Sequence, residues 1–184
     1  AIDIKPQYTD AIIHRSIDYF ALGQNDQALN DINMALSLGA ETSILYSIRA
    51  QILFDRNDYR AAIDNFDKAL ERNPDDSAAL VFRAISRYHE KQQTDKIESE
   101  LDRAIEIDPG FSTAYHWRAK VRLESGDLAG AMQDVEEALD LAQHKQDHYD
   151  VRAFIYIRMG ELDRALEDFN QAIELSPNDA IYYY

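Results

Sequence analysis

The sequence predicts an all-α protein assembled from five tandem two-helix units. Three observations predict it. The segments "ALSLGAET", "ALERNPDD", "AIEIDPGF", "ALDLAQHK" and "AIELSPND" begin at residues 35, 69, 104, 138 and 172, a period of 34 with one step of 35. A period of that size marks a supersecondary unit stacked on copies of itself. Within each unit the apolar residues recur at steps of three and four, which is helical spacing. Glycine and proline number only six and four in 184 residues, too few for the turns of an all-β chain, and the apolar content leans on the helix formers alanine and leucine.

The units run 9–42, 43–76, 77–111, 112–145 and 146–179, and the extra residue of the third sits in its inter-helix turn, "EKQQT". Positions within a unit are numbered as slots 1 to 34. In the first unit Ile12 and Ser16 mark the buried face of the first helix, Gly23 the turn, and Ala28, Ile32 and Ala35 the buried face of the second. The second unit repeats this with Tyr46, Ala50, Asn57, Ala62, Phe66 and Ala69. Asparagine at the turn slot tolerates the left-handed conformation that glycine adopts freely. The third unit carries Leu80, Ala84, Ile97, Leu101 and Ala104, with Gln92 in its turn. The fourth carries Tyr115, Ala119, Gly126, Ala131, Val135 and Ala138. The fifth is clearest: Tyr149, Ala153 and Tyr156 share a face and stop at Gly160, then Ala165, Phe169, Ala172 and Ile173 share another and Pro177 follows. Proline cannot continue a helix, so it marks the end of the unit. Small residues at slots 8, 20 and 27 let helix axes approach closely, and the large residues at slots 4 and 24 fill the space beside them.

With alanine at slot 27 in all five units and the turn glycine in three, the chain resembles a tetratricopeptide repeat (TPR) protein along essentially its whole length. The resemblance implies a right-handed α-solenoid of antiparallel helix pairs, a single domain over residues 1–184. Ile97 at an alanine slot, Ala40 and Gln143 at the proline slot and Gln92 in the turn depart from the family pattern. Residues 1–8 fit slots 27 to 34 of a preceding repeat, and residues 180–184 fit slots 1 to 5 of a following one. Two partial repeats at the ends make the chain read as a fragment of a longer array, because apolar end faces normally need a polar cap.

Composition narrows the function. There is no cysteine, which excludes disulfides, thiol catalysis and Cys–zinc sites. The formal net charge of −15 repels a phosphate backbone, so nucleic acid is not an expected partner. No apolar run approaches the length of a membrane span, and no membrane insertion is expected. The compartment stays open, with the cytoplasm ahead of the periplasm. No glycine-rich phosphate loop and no nucleophile–base constellation stands out from the repeat pattern. The chain is therefore not expected to be an enzyme, or to carry a cofactor or metal.

Slot 7 is arginine in every unit (Arg15, Arg49, Arg83, Arg118, Arg152), and slot 23 is Asp31, Asn65, Glu100, Asp134 and Asp168. The matched recurrence predicts structural ion pairs between the two helices, because the planar guanidinium meets a carboxylate with two hydrogen bonds. The Asn65 rung is expected to be the weakest. His144 and His148 lie four apart beside a turn between repeats, and both are read as members of a solvated polar loop rather than metal ligands.

Slots 2, 5, 9 and 12 share a different side of the first helix. The resemblance implies that this side lines a concave groove holding peptides or extended protein segments. The candidate groove residues are Ile13, Ile17, Phe54, Val81, Ile85, Tyr88, His116, Lys120 and Phe154. Ile85 and Phe154 are expected to face a ligand, since a wholly core role does not need them. Asp10, Asp55, Glu124, Asp147 and Asp150 lie on or beside the same face, which points to a ligand with an apolar centre and basic flanks. The Lys and Asn positions of the family's carboxylate clamp, and the asparagine ladder of its glycosyltransferase-linked members, are absent. The expected function is a protein–protein interaction scaffold. The alternatives are a regulatory or targeting arm of a larger enzyme, and a module that self-associates end to end.

Overall fold

The computed structural model describes residues 6–176. Among them are ten helices and no strand: α1 (Pro6–Ala21), α2 (Asn25–Ser37), α3 (Ser43–Asp55), α4 (Tyr59–Arg72), α5 (Ser77–His89), α6 (Thr94–Ile107), α7 (Ser112–Ser125), α8 (Leu128–Leu141), α9 (Gln146–Met159) and α10 (Leu162–Leu175). Residues 1–5 and 177–184, including Pro177 and the expected partial repeat at 180–184, lie outside the described residues. Residues 6–8 are the described part of the segment that fits slots 27 to 34 of a preceding repeat. They open α1, with Pro6 at the first helical position, where its missing N–H costs nothing.

The helices form two compact units, residues 1–92 and 93–184. In the first, α1 packs on α2 and α3 on α4, while α2 meets α3 and α4 meets α5. Its core cluster joins Ile12, Ala28, Ile32, Ala35, Leu45, Ile48 and Ile52. In the second, α7 packs on α8 and α9 on α10, while α6 meets α7 and α8 meets α9. Its cluster joins Ala119, Ala131, Val135, Val151 and Ile155. The alanines at slot 27 are fully buried in both units, so no side chain holds the paired helices apart.

Local chemistry sets the helix ends. Asp58, Asp76 and Asp127 accept hydrogen bonds from the backbone N–H of Ala61, Ala79 and Gly130, which satisfies donors that helix starts leave free. Left-handed residues reverse the chain within the pairs: Gly23, Asn57, Gly126 and Gly160, with φ of 71°, 60°, 91° and 80°. In the third repeat the left-handed residue is Lys91, φ 53°, and not Gln92. Lysine bears a Cβ penalty there that glycine would not.

Three of the arginine rungs carry paired hydrogen bonds to the acid opposite. Arg15 donates Nε and Nη2 to the two Asp31 carboxylate oxygens at 2.6 and 2.8 Å. Arg118 does the same to Asp134 at 2.9 and 2.6 Å, and Arg152 to Asp168 at 2.8 and 2.7 Å. Arg118 also reaches back to Asp102 at 2.6 Å, and Arg83 likewise to Asp67 at 2.6 Å. Arg49 has asparagine at both corresponding acid positions, Asn65 and Asn33. Asn65 turns its amide to the Ala61 carbonyl of its own helix at 2.8 Å, and Arg49 has no ion pair among the described residues.

Arg118→Ala removes two of the three side-chain hydrogen bonds to the buried Asp134, leaving only that from Arg122 at 2.9 Å, and is expected to cost on the order of 1–3 kcal/mol in chemical denaturation. Asn65→Asp is expected to complete the Arg49 rung and gain up to about 1 kcal/mol. An Arg118→Ala chain as stable as the parent would remove the ladder from the list of structural forces.

Candidate functional site

Between α7 and α9, the first helices of adjacent repeats in the second unit, lies a cavity of about 570 Å³. Its apolar wall is Trp117, Leu123, Val151, Phe154 and Ile157, and its polar residues are His116, Lys120, Glu124, Asp147, Asp150 and Arg158. Slots 2, 5, 9 and 12 supply seven of these. The other four, Trp117, Val151, Glu124 and Arg158, occupy slots 6 and 13 on the flank of the same face. Helical spacing therefore turns one side of each helix toward a common space.

Contacts within the wall hold its shape. Phe154 meets Phe169 of α10 edge to face, with centroids 5.6 Å apart. Lys120 places Nζ 4.6 Å from the centre of the Trp117 ring, a cation–π contact that keeps the amine over the indole. Phe154 is 52% exposed although it is a large aromatic residue.

His148 is not part of a solvated loop. It is 2% exposed, and its Nδ1 lies 3.1 Å from Nδ1 of His116. His144 does lie in the turn before α9. The sequence signal for this burial is slot 3, which holds Ala11, Leu45, Ala79 and Ala114 in the other repeats: a histidine in an apolar column is a buried histidine. Burial lowers the His116 pKa to about 3, with His148, Lys120 and Lys145 adding repulsion. Burial and Lys145 lower that of His148 to about 4 against the opposing pull of Asp147. Both rings are neutral at neutral pH. Among the described residues no group of three or more histidine, aspartate or glutamate side chains is placed to hold a metal ion.

Three of the nine candidate groove residues, His116, Lys120 and Phe154, meet at this cavity. The other six belong to the first unit. Ile13 and Ile17 are half-buried and pack on its core cluster. Phe54 is half-buried between Tyr59 and Phe82, at 5.7 and 5.2 Å. Tyr88 is half-buried and meets His89 at 5.7 Å. Val81 and Ile85, at 0% and 3% exposure, are core residues and offer no surface to a ligand. The physical reason is that slots 5 and 9 face the neighbouring first helix, and whether they stay open depends on what that neighbour brings.

Among the described residues, no helix is long and apolar enough to cross a membrane. The sequence profile of the tetratricopeptide repeat matches residues 49–111, 112–145 and 151–179. The mitochondrial import receptor subunit TOM70 of Homo sapiens is 23% identical over 188 aligned positions, covering 80% of this chain and 31% of that protein. This chain thus spans less than a third of that relative. The TPR repeat-containing protein PA0015 of Pseudomonas aeruginosa is 32% identical over 77 residues, covering 42% of this chain and 72% of that protein. The crystal structure of YrrB, described as a TPR protein with an unusual peptide-binding site, superposes with a TM-score of 0.75 at 18% identity, covering 94% of this chain and 88% of that one.

The neutral histidines make stability depend on pH. Their unfolded pKa is near 6.5 and their folded values are about 4 and 3. Below pH 6.5 the unfolded chain takes up protons that the folded chain refuses. Their contribution is therefore complete above about pH 7.5 and falls until the folded values are reached, by about 1.4 kcal/mol per pH unit for each ring. His148→Leu, which copies Leu45, is expected to flatten urea-unfolding stability between pH 6.5 and 4.5. Equal slopes for parent and variant would show that the pair is not buried neutral.

Proposed function

We propose that this chain, which belongs to the tetratricopeptide repeat family, is a protein-interaction scaffold that holds an extended partner segment in the cavity between α7 and α9. Members of the family bind proteins or peptides, and YrrB bears a peptide-binding site on the same fold. The observation that carries the reading is the cavity of about 570 Å³ with an apolar wall and three carboxylates among its polar residues. A space of that size suits one bulky side chain with its adjoining backbone. Trp117, Val151 and Phe154 would bury the side chain. Glu124, Asp147 and Asp150 would favour basic residues on either side of it. Rigid packed helices present this surface ready-made, so ordering costs fall on the ligand. No catalytic step is assigned to the chain.

A second reading, end-to-end association with another copy, is favoured by α10. Leu162 and Leu166 on this helix are 65% and 61% exposed, whereas Ile63, in the slot of Leu166, is 7% exposed. Leu166→Glu would abolish any concentration-dependent mass increase in light scattering; a parent monomeric at every concentration ends this reading.

Selection from a random peptide library is expected to enrich a large apolar residue flanked by lysine or arginine. Phe154→Asp is expected to keep its helical content and lose at least about 2 kcal/mol of affinity, some thirtyfold. Ile85→Asp is expected to unfold its unit instead. Unchanged peptide affinity in a folded Phe154→Asp chain would place the binding surface elsewhere.

A further inference from the structure

We propose that His116 reads the bound segment by donating Nε2–H to one of its main-chain carbonyl oxygens, and that the buried His148 behind it is the positioning residue that sets this tautomer. The proposal rests on the reading of the α7–α9 cavity as the binding site.

The two rings face each other through Nδ1 at 3.1 Å. A neutral imidazole carries one N–H and one lone pair, so one ring donates from Nδ1 and the other accepts. If His116 donated, His148 would carry its proton on Nε2, and that atom is buried without a partner. If His148 donates, the same atom holds only a lone pair. An orphaned buried N–H is the rarer and costlier of the two. His148 is therefore the donor, and the His116 proton sits on Nε2. His116 lines the cavity and His148 does not. With Nδ1 engaged at the back, the Nε2 edge is left to face a ligand.

Burial first, and then the charges around the pair, keep this donor neutral. Lys120 on α7 and Lys145 before α9 oppose protonation of His116, and Lys145 also opposes that of His148, against Asp147 on α9. Glu124, Asp147 and Asp150 outnumber the cations Lys120 and Arg158 in the cavity lining, and the net negative charge disfavours an incoming carboxylate. The acceptor left is an uncharged carbonyl, which an extended segment presents beside every side chain it buries. A slot that elsewhere holds alanine or leucine has thus acquired a residue that orients its neighbour on the adjacent repeat.

Two-bond ¹H–¹⁵N correlation spectra of the histidine-labelled chain test the tautomers without any ligand. The expected result is Nδ1–H for His148 and Nε2–H for His116, both unprotonated from pH 7.5 to 5.5. In His148→Leu, His116 is expected to populate both tautomers. A proton on His116 Nδ1 in the parent, or protonation by pH 6, would overturn the proposal.

The binding arm uses an acetylated and amidated Lys-Arg-Leu-Arg-Lys peptide and its analogue with an ester replacing the amide after leucine, which weakens that carbonyl as an acceptor. His116→Phe is expected to lose about tenfold in affinity for the amide peptide, the scale of one hydrogen bond. It is also expected to bind the ester and amide peptides alike, while the parent prefers the amide. Equal amide binding by parent and His116→Phe overturns this inference alone. A parent that binds neither peptide, or binds both no better than Phe154→Asp does, overturns the cavity reading and the inference with it.

Discussion

Close approach of paired helices at alanine is the constraint on which the rest of the structure depends. Ala35, Ala69, Ala104, Ala138 and Ala172 are all fully buried. A larger side chain at any of them would meet a packed neighbour and force strained rotamers or a wider helix separation. With the axes held close, bulky residues such as Phe66, Leu101 and Val135 fill the space on either side. That spacing also lets Arg15, Arg118 and Arg152 each reach the acid on the second helix with two hydrogen bonds.

The ion-pair ladder follows from that spacing and adds direction to it. Apolar packing alone would tolerate small rotations of one helix against its mate. A guanidinium bound through two parallel hydrogen bonds does not, as the Arg118–Asp134 and Arg152–Asp168 pairs illustrate. The missing rung at Arg49 shows what the contact depends on: asparagine at positions 33 and 65 offers no charge, and the Asn65 amide bonds its own helix instead.

The candidate site arises where the pattern of the repeat is broken by its residue choices. Branched aliphatic residues at slots 5 and 9 of α1 close onto the core of the first unit. The corresponding residues of α7 and α9 are His116, Lys120, Asp150 and Phe154, and around them a cavity remains. Charge and aromatic area are thereby concentrated on one part of a face that the repeat otherwise packs away.

The sequence by itself determined the helices, their turns, their buried faces and the rungs, because each depends on residues within one period of 34 and on local backbone chemistry. It also singled out the side of the first helix on which the cavity lies. Only the tertiary structure decided the depth of each position on that side. Ile85 and Phe154 share slot 9, yet one is 3% exposed and the other 52%. His148 is four residues from the solvated His144 along the chain but is buried against His116, 32 positions away. Helical periodicity fixes the direction in which a side chain leaves its helix. Whether it then meets solvent or protein depends on side chains a full repeat distant, which no local pattern encodes.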